Sequence, residues 1–95
     1  MIHINITDDS LEVTGHAEFA ERGQDIVCAG VSAITQTALL GLRQYTYVDY
    51  KVESGYLYMN MMTKSGEAYA ILRTAHMGLR ALQQAYPDHI NIEEG

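Results

Sequence analysis

The sequence predicts an α+β fold, a single domain in which two helices pack on one face of a largely antiparallel sheet in the order ββαββα(β). Three observations carry this prediction. Two segments alternate apolar and polar residues around a turn signal, each is followed by a segment with helical apolar spacing, and an isoleucine pair follows the single proline. With 95 residues the chain supports one core, so residues 1–95 are read as one domain.

The elements follow in order. Ile2, Ile4 and Ile6 alternate with polar residues as in a half-buried strand, Asp8-Asp9-Ser10 supplies a turn, and Leu11 and Val13 continue in a second strand that ends near Gly15-His16. After a loop, Asp25 stands where its carboxylate can cap a helix over about residues 26–40. Val27, Val31, Ile34 and Ala38 form the core-facing stripe of that helix, and Gly41 marks its expected end. The second half repeats this order without repeating the residues. Thr46, Val48, Tyr50 and Val52 alternate against Tyr47, Asp49 and Lys51, Ser54-Gly55 turns the chain, and Leu57, Met59 and Met61 return. Ser65 caps a second helix with the stripe Ala68, Ile71, Ala75, Leu79 and Leu82, which Pro87 closes. Ile90 and Ile92 give a short last strand, and Glu93-Glu94-Gly95 reads as a solvated tail.

Composition narrows the function. Twelve acidic residues against six Lys and Arg give a net charge of -6, which disfavours nucleic acid and suits a basic polypeptide. The sequence has neither an apolar run of about 18 residues nor a basic-then-apolar leader, so neither a membrane span nor a signal peptide is indicated and the expected location is cytoplasmic. One cysteine permits no internal disulfide and no multi-cysteine zinc site. His3, His76 and His89 lack ligand spacing and are assigned structural or solvent roles, so no metal or cofactor is expected. Tyr45, Tyr47, Tyr50, Tyr56 and Tyr58 crowd the second hairpin, as strand formers first and as a docking surface second.

The chemistry concentrates in two short segments. Gly15-His16-Ala17 precedes Gly23-Gln24-Asp25-Ile26-Val27-Cys28, and with Asp25 as cap the cysteine falls at the third helical position. A helix start favours thiolate, the nucleophilic form of cysteine, and an imidazole nearby can serve as its acid–base partner. Ser32, four residues on, shares the face of Cys28. Taken alone, Cys28 reads first as a small buried hydrophobe, and His16 as a surface histidine beside Glu12 and Thr14.

Together, Gly15-His16-Ala17 and Asp25-Ile26-Val27-Cys28-Ala29-Gly30-Val31-Ser32, with Thr37 and Leu42 downstream, resemble the ribosomal-processing cysteine protease Prp family. The resemblance implies a catalytic dyad of His16 and Cys28, with Asp25 and Ser32 in support. It implies a mobile substrate loop made of Ala17, Glu18, Phe19, Ala20, Glu21, Arg22, Gly23 and Gln24. Members of that family form homodimers and remove a short N-terminal extension from bacterial large-ribosomal-subunit protein number twenty-seven. A cofactor-free homodimer acting on a ribosomal protein precursor is therefore the expectation. Gly30 stands where alanine is common in the family, and the loop and C-terminus are short. Two further readings remain open here. One is a phage-associated protease acting on a capsid or scaffold protein; the other is a non-enzymatic dimeric peptide-binding module that uses the tyrosine-rich hairpin.

Overall fold

Alternating isoleucines give one strand face that cannot remain in water, and the chain buries it under two helices. A computed structural model, which describes residues 1–21 and 23–95, shows β1 (Ile2–Ile6), β2 (Ser10–Thr14), α1 (Ile26–Leu42), β3 (Val48–Glu53), β4 (Tyr56–Met61), α2 (Gly66–Ala85) and β5 (Ile90–Glu94). The five strands form one sheet in the order β3-β4-β2-β1-β5. Its pairs are antiparallel except β1 with β5, which run parallel because α2 carries the chain back across the sheet. The expected fold class is the observed one.

Register explains the core. Ile4 opposes Val13, Leu11 opposes Met59 and Val13 opposes Leu57, so the apolar positions of three strands share a face. Val27, Val31, Leu39 and Leu42 of α1 and Leu72 and Leu79 of α2 join them in one buried cluster. The two helices also pack against each other through glycines. A Cβ at Gly30 would lie 3.1 Å from a methyl of Leu82, at Gly41 3.4 Å from Ile71, and at Gly78 3.5 Å from Ile34. Moving forward along α1, the partners move backward along α2, as antiparallel helices require. At each crossing a missing side chain receives a branched one, which lets the helices approach closely.

This packing accounts for several departures from expectation. Gly41 does not end α1; it stays helical because Ile71 occupies the space beside it, and Arg43 is the C-cap instead. Ile34, Ile71 and Leu82 are half-buried between the helices, while Leu72 and Thr35 take the fully buried positions. In β3, Tyr50 and Val52 oppose Met59 and Leu57 and so lie on the helix side, yet they remain 42% and 44% exposed. β3 is an edge strand, and the guanidinium of Arg43, the C-cap of α1, lies 5.0 Å from the centre of the Tyr50 ring. The tyrosines divide accordingly: Tyr56 and Tyr58 are half-buried on the opposite, polar face of the sheet, whereas Tyr45, Tyr47 and Tyr50 are exposed. Nor are Glu93 and Glu94 a tail. They pair with Asn5 and Ile6 in β5, where the Glu94 carboxylate bonds the His76 ring and the Arg80 guanidinium of α2. No helix among the described residues is long and apolar enough to cross a membrane.

Leu79 is fully buried where α2 meets the sheet. Leu79→Ala is expected to destabilise the protein by about 2–5 kcal/mol, seen as a lower denaturant midpoint with an unchanged slope.

Candidate active site

The site is built where β2 ends and α1 begins. Gly15 turns the chain out of β2 with φ +88°, and its N–H donates to Gly55 O at 2.9 Å. A Cβ at Gly15 would sit 2.5 Å from Met1 O, so only glycine fits. The next residue, His16, receives the N-terminal ammonium on its carbonyl at 2.7 Å and rests its ring against the β3–β4 turn. There Gly55 has φ +73°, and a Cβ would come within 2.8 Å of the His16 Nε2. Each glycine therefore fixes one side of the histidine.

Asp25 ties the following loop to the helix. Its Oδ1 accepts the N–H groups of Val27 and Cys28, both at 3.0 Å, as a helix cap should. Its Oδ2 accepts those of Phe19 at 2.9 Å and Ala20 at 3.3 Å. The residue is only 8% exposed. Burial by itself would raise the carboxyl pKa, but the four backbone donors outweigh it and hold the group below its ordinary value. Before this anchor the chain passes through Glu18 at φ +57°, a left-handed conformation that a non-glycine residue adopts only when its surroundings hold it there.

Cys28, half-buried at the third position of α1, accepts the Ala17 N–H on its sulfur at 3.2 Å. With Ser32, Thr35 and Gln36 it forms one face of α1 along a groove of about 680 Å³. The β3–β4 turn, from Val52 to Tyr56, and His16 line it as well. Behind the loop, the His89 ring meets Ala17 O through Nδ1 at 2.9 Å. Phe19 stands edge-on to Tyr86 and to His89, each ring pair 5.3 Å apart.

The groove brings together His16, Asp25, Cys28 and Ser32, along with Glu18, Ala20 and Gly23 of the expected substrate loop. Ala17 is buried behind it, Phe19 packs away toward the end of α2, and Glu21 and Gln24 are exposed outside its lining. Arg22 lies outside the described residues. Among the described residues the donor to Cys28 Sγ is Ala17 N–H and not the His16 ring. Asp25 does not hold the imidazole either, because backbone donors occupy both its oxygens. Its Oδ1 takes up the Val27 and Cys28 N–H groups, which lie at the helix start beside the sulfur. Sequence reasoning missed Thr35, Gln36, the β3–β4 turn and His89. The first two were legible as the i+7 and i+8 positions from Cys28, whereas the others are distant in sequence. Among the described residues no group of three or more His, Cys, Asp and Glu side chains is placed to hold a metal.

A sequence model of the family described as cysteine protease Prp matches residues 1–91. The chain belongs to the Prp cysteine protease family. It is 33% identical over 103 aligned residues to the ribosomal processing cysteine protease Prp of Staphylococcus aureus, with 97% of each chain covered. It is likewise 33% identical over 97 residues to that of Mycoplasma pneumoniae, covering 99% of this chain and 95% of the relative. In three dimensions it matches the S. aureus Prp crystal structure in complex with a covalently linked product peptide, at a TM-score of 0.92, 27% identity and full coverage of both chains. The S. aureus Prp structure with a substrate peptide matches at 0.87 and 25% identity, again over both whole chains. Membership in the Prp family makes the chain a cysteine protease and sets aside the reading as a non-enzymatic binding module.

Asp25→Asn keeps one acceptor but turns an NH2 group toward one pair of donors. It is expected to lower stability by about 1–2 kcal/mol at neutral pH. Because folding holds the native carboxyl below its ordinary value, its contribution is whole above about pH 4 and is lost as pH falls through the folded value. Urea titrations should therefore show the gap between the two proteins closing on acidification.

Proposed function

We propose that the chain is an endopeptidase that removes a short N-terminal extension from the precursor of large-ribosomal-subunit protein number twenty-seven, with Cys28 as nucleophile and His16 as its acid–base partner. One observation carries the assignment of the nucleophile. A member of a cysteine protease family has a single cysteine, and it faces a groove that also holds the family-motif histidine. The names of the relatives support a ribosomal target, and the S. aureus complex with a covalently linked product peptide supports covalent catalysis.

In this reading the Cys28 thiolate attacks the scissile carbonyl, forming a C–S bond while the carbonyl electron pair moves to oxygen. Collapse of that oxyanion breaks the C–N bond, and His16 gives its proton to the departing amine. His16 then takes a proton from water, whose oxygen displaces the sulfur and frees the acid product. The His16 ring reaches the sulfur by turning from its place against Gly55 when substrate enters, while Ala17 stays where it is. Asp25 holds the start of the helix, and Ser32 offers a hydroxyl to the peptide or the dyad one turn further along.

The groove suits a basic peptide. Glu18 and Glu53 line it together with Asp25, and no Lys or Arg is among the described residues that do so. That polarity accords with the charge of the whole chain and with the lysine- and arginine-rich character of ribosomal proteins in general. A cytoplasmic homodimer is the working form in this reading.

A peptide spanning the extension and the mature N-terminus of that ribosomal protein tests the assignment. Wild type should cleave it once, and Cys28→Ala and His16→Ala should each lose about 10⁴-fold or more in kcat. Cleavage by Cys28→Ala at the wild-type rate would overturn the mechanism, and resistance of the peptide to wild type would overturn the substrate. Sedimentation equilibrium should give twice the chain mass.

A further inference from the structure

We infer that the peptide N–H of Ala17 is the donor that holds the charge of the reacting centre, first on the Cys28 sulfur and then on the oxyanion, and that His89 is the residue that positions it. The inference rests on Cys28 as nucleophile.

The hydrogen bonds around the sulfur leave this role to Ala17. An oxyanion hole is ordinarily supplied by peptide N–H groups beside the nucleophile. Here the N–H groups of Val27 and Cys28 are bonded to Asp25 Oδ1, those of Phe19 and Ala20 to Asp25 Oδ2, and that of Ala29 to Asp25 O. The Ala17 N–H instead points at Sγ from 3.2 Å. In the tetrahedral intermediate the oxyanion is two bonds from that sulfur. A small shift therefore transfers the same N–H from sulfur to oxygen as charge moves between them.

Such a donor helps only if it is fixed: the carbonyl of its own peptide unit, His16 O, is held by the N-terminal ammonium at 2.7 Å, and His89 holds the adjoining unit through Ala17 O. A carbonyl can only accept, so the 2.9 Å contact with Ala17 O makes His89 Nδ1 the protonated nitrogen. The His89 backbone is held in turn, since its carbonyl accepts the Ile2 N–H at 2.9 Å and its own N–H donates to Tyr86 O at 3.1 Å. The Phe19 ring, edge-on to both Tyr86 and His89, covers the same junction. Ala17 itself is 1% exposed, with its N–H toward the sulfur and its carbonyl toward the imidazole. A residue 61 positions from the cysteine in sequence thus holds the residue that carries the donor.

The test compares His89→Ala with His89→Asn. Both lose the ring that packs on Phe19, but only asparagine keeps an N–H near the position of Nδ1. We expect His89→Ala to lower kcat roughly ten- to a hundredfold with KM nearly unchanged, and to slow alkylation of Cys28 by iodoacetamide at about pH 7. His89→Asn should recover most of both rates. Equal impairment in the two variants would assign His89 to packing alone and overturn the inference, as would wild-type kcat in His89→Ala. Should His89→Ala fail to fold, His89→Leu, which fills the space without a donor, takes its place against His89→Asn. Cys28→Ala, run beside them, separates the two levels. If it still cleaves, the nucleophile assignment fails; if it is dead while His89→Ala keeps wild-type kcat, only the role of Ala17 and His89 fails.

Discussion

One buried carboxylate organises this protein around its cysteine. Asp25 accepts two N–H groups from the first turn of α1 and two from the loop that precedes it, so a single side chain both starts the helix and folds the chain back over its end. Four donors on one anion keep it ionised in a nearly closed site and give the loop a fixed path. That path brings Ala17 against the sulfur and sends Phe19 the other way, into the rings at the end of α2. The same carboxylate also takes up the helix-start donors that would otherwise meet a bound anion. A capped helix N-terminus thus has fewer free donors for an oxyanion than an uncapped one, and the donor we infer is the Ala17 N–H of the loop.

The groove depends on contacts between parts of the chain that are remote in sequence. It is lined by a face of α1, by the turn between β3 and β4 and by His16, whose carbonyl holds the N-terminus. Gly15 and Gly55 make this convergence possible, because each leaves room for a neighbour that a β-carbon would displace. Away from the groove, the glycine-mediated contact between α1 and α2 anchors the helix that carries Cys28.

Much of this was legible in the chain itself. Ile2, Ile4 and Ile6, the Asp25 cap, the helical stripe from Val27 and the Ser54-Gly55 turn each encode their structure within a few residues, through side-chain alternation, an oxygen at the right offset or a permitted positive φ. The motif pair around His16 and Cys28 carried the family, and with it the type of chemistry. Errors arose where a residue's environment is supplied by a distant element. Gly41 looks like a helix end and is a packing site for Ile71, β3 alternates like a half-buried strand but lies at the open edge of the sheet, and Glu93-Glu94 reads as a tail but completes a strand.

The sequence by itself therefore determined the fold class, the helix that presents Cys28 and the identity of Asp25 as its cap, because all three follow from local periodicity and local hydrogen bonding. Tertiary structure decided which groups meet the sulfur. Ala17 N–H lies there because His89, Asp25 and the N-terminus fix the loop from three directions, and His16 rests on Gly55 because β2 and the β3–β4 turn are neighbours in the sheet. Local pattern reports how a segment prefers to fold, whereas long-range packing sets the direction in which a given N–H points.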